Sequence, residues 1–415
     1  MTQTLPARSR AAAASAALAT VLLAGCSSGI DSDRQAVVAE DPETAAPVEA
    51  SHAVPRLAVS YAGGVLVLDA ASLEVVGQVP VDGFTRLNPA GDGRHVLVTA
   101  ADAFRVLDVG TWSEPHGDHS HHYTSAPAFT GTEFAARKPG HVVRHAGRTA
   151  LFHDGSGLVE TFDPRGLADG KPAVDSHTTA EPHHGVAVEL ANGGLITTLG
   201  NEEERTGIVV LDRDRREVAR DERCPGVHGE AAAANEVILF GCQDGALVYR
   251  DGLIAKITSP DAYGRIGNQA GAEASDVVLG DYKTDRDAEL ERPQRVMLVN
   301  TTTAALTPVD LGTSYTFRSL GRGPRGEALV LGTDGRLHVI DQNTGAVTNR
   351  IPVLGVWSEP DEWQSPRPAL FVDGGTAYVS DPATSSLHAV DLGSGAVVRS
   401  TVLPQSPIEL TGVSG

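Results

Sequence analysis

The 415-residue sequence has no His-Glu-x-x-His pair, no phosphate-binding glycine loop and no Ser-His-Asp order, so nothing in it specifies a catalytic nucleophile. Helical periodicity is missing throughout, and no long apolar run follows residue 22, which leaves an all-β reading. Positive charge is scarce: 33 Lys and Arg stand against 53 Asp and Glu. That balance argues against a nucleic-acid partner, since phosphate binding needs the opposite sign. It also keeps an exported protein soluble and draws cations toward the surface. Cysteine is scarcer still, with only Cys26, Cys224 and Cys242.

The N-terminus explains the first cysteine. Arg8 and Arg10 precede an apolar stretch from Ala11 to Leu22, and Leu23-Ala24-Gly25-Cys26 follows. This looks like a bacterial signal peptide (residues 1–25) ending in a lipobox, with Cys26 lipidated after cleavage. The apolar run is short of the roughly 20 residues that cross a bilayer, whereas two or three acyl chains anchor a protein stably. Removing the signal takes both arginines, leaving 31 basic residues against 53 acidic ones, a net charge of −22. Residues 26–54 are rich in Ala, Pro, Asp and Glu and read as the lipidated cysteine plus a disordered tether. The expected compartment is extracytoplasmic and membrane-anchored. There an even pair of cysteines points to a Cys224–Cys242 disulfide, with thiolate metal ligation as the alternative.

From residue 55 to 415 a unit repeats. GRLHVIDQNTGAVTNRIPV (Gly335 to Val353) is a strand, a turn and a second strand; SLHAVDLGSGAVVRSTVL and GVLVLDAASLEVVGQVPV are near copies. Weaker copies begin at Phe104, Leu158, Ile208, Ala246 and Arg295, and most have a further hairpin ahead of them. Four short strands at a spacing of about 40 to 50 residues are the signature of a β-propeller blade. The count gives eight blades, or seven if the irregular segment from Gly110 to Lys138 lacks a full outer strand. Pairing of Pro407 to Leu410 with Leu57 to Tyr61 would close the ring and remove a free sheet edge.

Histidine is where the sequence is generous. Four of its fifteen histidines, His116, His119, His121 and His122, fall within seven residues of EPHGDHSHHY, a composition suited to metal capture. Aligning the inner-strand starts of the third, fourth and fifth units (PGHVVRHAG, PHHGVAVELANG, PGVHGEAAAAN) puts His141, His184 and His228 at one position, each just after a proline. Three imidazoles from adjacent blades leave a fourth position open, which suits tetrahedral zinc. His183 is a candidate ligand for a second metal. The His-rich loop is expected to be mobile and to reach the same mouth. His95, His145, His153, His177, His338 and His388 read as core or surface residues.

A lipobox, propeller repeats, HGDHSHHY, EPHHGVAV and CPGVHGEA together resemble the AztD-type periplasmic zinc metallochaperones. The resemblance implies zinc as cargo, with one high-affinity site and a second, weaker one. It also implies delivery to the solute-binding protein of a zinc ABC importer, by a protein that is monomeric and not an enzyme. This chain departs from the family in its lipid anchor. Two rivals come from other classes: a propeller metalloenzyme of lactonase or oxidoreductase kind, and an adhesion or scaffold propeller with incidental histidines.

Overall fold

The structure, a computed structural model, describes residues 46–415; the expected signal peptide and the expected lipidation site at Cys26 lie outside the described residues. Eight sheets with a four-stranded antiparallel path follow one another along the chain. The repeat copies supply the third and fourth strands of their sheets. In the seventh sheet, Arg336–Ile340 pairs with Val347–Pro352 across the Asp-Gln-Asn-Thr-Gly turn. Asp341 Oδ1 accepts the amides of Asn343 and Thr344, and Gly345 takes the left-handed φ of 72° that ends the turn. Asp391 with Gly395 and Asp69 with Leu73 repeat this device, Leu73 accepting a φ of 60° where these two other turns place Gly345 and Gly395.

Burial explains why the repeats must stack. The middle strands are apolar on both faces, as in His95–Ala100 and Val237–Cys242, which are buried along their whole length. Each neighbouring pair of sheets shares one apolar cluster. Ala58, Val65 and Val67 of the first meet Val96 and Val98 of the second. At the other end of the order, Leu66 and Leu68 of the first meet Leu387 and Ala389 of the eighth. No sheet covers both its faces alone, so the fold is an all-β propeller.

The first sheet draws on both ends of the chain. Its innermost strand is the C-terminal Leu410–Val413, paired antiparallel with Arg56–Tyr61 in the register Arg56↔Val413. The closing strand thus lies three residues beyond the expected Pro407 to Leu410 segment. Glu409, just ahead of it, accepts from Arg318 Nη2 at 2.5 Å and Arg86 Nε at 2.9 Å, joining the first sheet to the seventh and second at the axis.

Gly110 to Lys138 does hold an outer strand, Ala128–Ala135, which pairs with Ala103–Asp108, as the count of eight units needs. Two other expectations are corrected. Ahead of that outer strand, the His-rich stretch is a β-hairpin, Thr111–His116 with His119–Thr124. The hairpin forms a separate three-stranded sheet with Val48–Ala50, so ordered structure begins inside the segment read as a tether. Cross-strand pairing satisfies backbone groups that an unfolded tether would leave to water.

Candidate metal centre

The histidine register holds in three dimensions. His141 is third in the strand Pro139–His145, His184 precedes Ala187–Glu189, and His228 opens His228–Ala233. These are the first strands of the third, fourth and fifth sheets. The Nε2 atoms of His141 and His184 lie 3.3 Å apart, and those of His184 and His228 lie 3.2 Å apart. Zinc bonds of about 2.0–2.1 Å at tetrahedral angles require nitrogens about 3.3 Å apart. The spacing therefore matches a shared metal ion.

The far side of two rings is already committed. Asp154 Oδ2 accepts from His184 Nδ1 at 2.5 Å, and the Gly267 carbonyl accepts from His228 Nδ1 at 2.5 Å. Each bond fixes a tautomer whose Nε2 lone pair faces the other imidazoles, the usual arrangement behind a metal-bound histidine. Asp154 had no signature in the sequence, because it sits in the turn after the second strand of a neighbouring sheet. Gly140 makes room for it: a Cβ there would lie 2.1 Å from Asp154 Oδ1. Cys224 and Cys242 are disulfide-bonded and fully buried. Val227 donates to the Cys224 carbonyl at 3.2 Å, so the bridge braces the turn that delivers His228.

Electrostatics keep His141 and His228 neutral. Burial, then the imidazoles of His228 and His184, then Arg86 and Arg205, hold His141 well below the usual histidine value. Burial and His184, followed by weaker effects from Arg265 and Arg205, bring His228 down to about 3. Neutral imidazole is the metal-binding form. Cavities of about 410 and 380 Å³ flank the group, both lined by Arg86, His141, His184 and Trp363, so a ligand or protein side chain has access.

His183 does not join the site. His183 is 2% exposed, donating from Nδ1 to the Glu181 carbonyl at 2.9 Å, with Nε2 3.0 Å from Thr198 Oγ1. The background histidines behave as expected: His95 pairs with Asp92, His153 with Glu160 and His338 with Asp334.

Among the described residues one other group of three has metal-ligand spacing: His116, His119 and His121 on the hairpin. Pairing His116↔His119 and Glu114↔His121 puts all three on one face. His122 falls on the other face, where its Nδ1 lies 2.7 Å from Ser113 Oγ. The two-residue turn is Gly117-Asp118, with Gly117 at φ 63° as the first position of a type II′ hairpin requires. That Gly-Asp pair was the legible hairpin signal that the loop reading passed over.

The two groups lie on opposite faces of the propeller. His141 and His228 stand at the starts of inner strands, and Arg86, near the start of Thr85–Pro89, lines a cavity with His141 and His184. The hairpin follows Asp108, which pairs with His95 just past the end of that same inner strand. Five strand residues span about 17 Å. The hairpin does not reach the three-histidine mouth, contrary to expectation.

An all-β propeller that gathers three imidazoles with metal-ligand spacing at one mouth defines a metal-binding propeller as the class. No protein-family model matches the chain. Its sequence is 25% identical over 362 residues to the zinc chaperone AztD of Citrobacter koseri, covering 84% of this chain and 83% of that protein. The crystal structure of Citrobacter koseri AztD matches with a TM-score of 0.77 at 24% identity, over 88% of this chain and 99% of the other. Apo AztD from the same organism matches at 0.75 and 23%, over 87% and 98%. The dihydro-heme d1 dehydrogenase NirN shares the fold more distantly, at 0.53 and 14%, over 86% and 74%. The resemblance to the AztD-type proteins thus extends over most of the chain, in sequence and in fold.

Proposed function

We propose that this protein is an extracytoplasmic zinc chaperone, anchored through lipidated Cys26, which passes zinc to the solute-binding protein of a zinc ABC importer. The observation that carries the reading is the placing of His184 Nε2 at 3.3 Å from His141 Nε2 and 3.2 Å from His228 Nε2. Three protein ligands leave a fourth zinc position for a ligand from the acceptor, so transfer proceeds by stepwise exchange without release of the ion into water. The hairpin trio supplies a second, weaker capture site. The relative's name supports both zinc as cargo and a chaperone in place of an enzyme.

The test is metal analysis of protein purified from its native host without chelators or tags, followed by transfer. Bound zinc should move to a zinc-free solute-binding protein faster than it moves to a chelator of equal affinity. Metal-free protein, or zinc released only at the chelator's rate, would overturn the reading.

A further inference from the structure

The segment ahead of the propeller contributes a charged group to the hairpin. Glu49, in the middle of Val48–Ala50, pairs with Tyr123, and its Oε1 lies 2.7 Å from His121 Nδ1. Cross-strand neighbours two positions off register are within reach of long side chains. A carboxylate accepting from Nδ1 fixes the tautomer whose Nε2 holds the lone pair. That Nε2 faces inward, 3.3 Å from His116 Nδ1. The three rings cluster around it with centroids 5.1–5.3 Å apart: His119 meets His116 and His121 edge to face, and His116 and His121 are tilted by 37°.

The base of the hairpin is held independently of this contact. Trp112 lies between the Arg94 guanidinium, 4.1 Å from its ring, and Tyr123, stacked at 5.4 Å. Arg94 in turn pairs with Asp108 at 2.6 Å. The hairpin is thus fixed to the second sheet whether or not Val48–Ala50 is docked. Three paired residues with two exposed side chains form a weak strand on their own.

We propose that Glu49 makes the hairpin trio a metal-dependent clasp. Glu49 positions His121 for the ion, and zinc bound by His116, His119 and His121 holds the Val48–Ala50 strand against the hairpin. By linkage, docking of the strand and binding of the metal strengthen each other equally. Zinc on this face therefore shortens the free chain between the propeller and whatever precedes residue 46. The clasp rests on the reading of the hairpin as a metal-binding element.

The experiment uses the full mature chain carrying His184→Ala, so that the mouth is a ligand short, with zinc and cobalt(II) as probes. Glu49→Gln is compared with Glu49, and a His116→Ala, His119→Ala double variant serves as reference. Glu49→Gln is expected to weaken hairpin zinc binding about 10- to 100-fold, the usual effect of losing the group behind a metal-bound histidine. Zinc should slow hydrogen exchange at the amides of 48–50 with Glu49 present and not with Gln, and the cobalt absorption band should weaken in parallel. If the double variant binds as much metal as its parent, the hairpin is not a metal site and the underlying reading fails. If the hairpin binds zinc equally with Glu49 or Gln, and exchange at 48–50 ignores zinc, the site stands and the clasp is overturned.

Discussion

Asp154 and His183 show how differently two polar groups serve one ligand. Asp154 touches no metal position but accepts from His184 Nδ1, and Gly140 leaves the space it needs. Asp154→Ala should lower zinc affinity at the mouth about 10- to 100-fold while leaving the melting temperature nearly unchanged, as competition against a chromophoric chelator and calorimetry would show. His183 is the reverse case. Its buried ring bonds both Glu181 and Thr198, so His183→Ala should cost about 1–3 kcal/mol of stability with zinc stoichiometry intact. A stoichiometric loss in His183→Ala would restore it as a ligand. Acid sensitivity follows from His228. The unfolded chain protonates histidine near 6.5, whereas the fold keeps His228 neutral down to about 3. Between those values the unfolded state binds more protons, so stability falls as pH falls. The zinc-free protein should lose more melting temperature from about pH 6.5 to 5 than His228→Asn does. Equal losses would show that His228 takes up its proton freely in the fold.

Elements were legible in proportion to how local their causes were. The repeated strand, turn and strand could be read because alternation, Asp caps and left-handed turn positions are written in adjacent residues, as in Gly335 to Val353. The register of His141, His184 and His228 could be read because each follows a proline at the start of a repeat. The partners behind them could not: Asp154 comes from a different turn, and the Gly267 acceptor is a backbone carbonyl. The His183-His184 dipeptide was ambiguous for a related reason, since backbone direction alone decides which ring faces the mouth. The closing strand was misplaced by three residues because Pro407 to Leu410 is too short for its pattern to fix a register. Besides its pairing with Arg56–Tyr61, a long-range ion pair anchors the start of that strand. Glu409 and Arg318 are both under one-tenth exposed at the side chain. Glu409→Ala leaves the Arg318 guanidinium buried without its partner and should cost about 3–5 kcal/mol in denaturant unfolding. A cost near zero would mean that apolar packing alone closes the first sheet.

At the scale of the whole molecule the separation of the two histidine groups sets what one copy can do. The mouth lies at the starts of the inner strands, and the hairpin lies beyond their ends, beside the C-terminal Gly415, whose carbonyl accepts from Ser113. About 17 Å of strand stands between the two faces, so an ion on the hairpin reaches the mouth of the same molecule only by leaving the protein. Deleting Pro115 to Tyr123 should therefore keep the mouth zinc, with its affinity changed less than threefold. Redistribution from hairpin to mouth should instead pass between molecules. Mixing protein loaded only at the hairpin with an otherwise identical metal-free chain carrying hairpin His→Ala substitutions should give an exchange rate that rises in proportion to protein concentration. A rate independent of concentration, and faster than dissociation into a chelator, would require the hairpin to swing around the edge of the second sheet. The Trp112 stack against Arg94 and Tyr123 opposes that motion. Trp112→Ala should then accelerate exchange if the hairpin swings, and leave it unchanged if transfer is bimolecular.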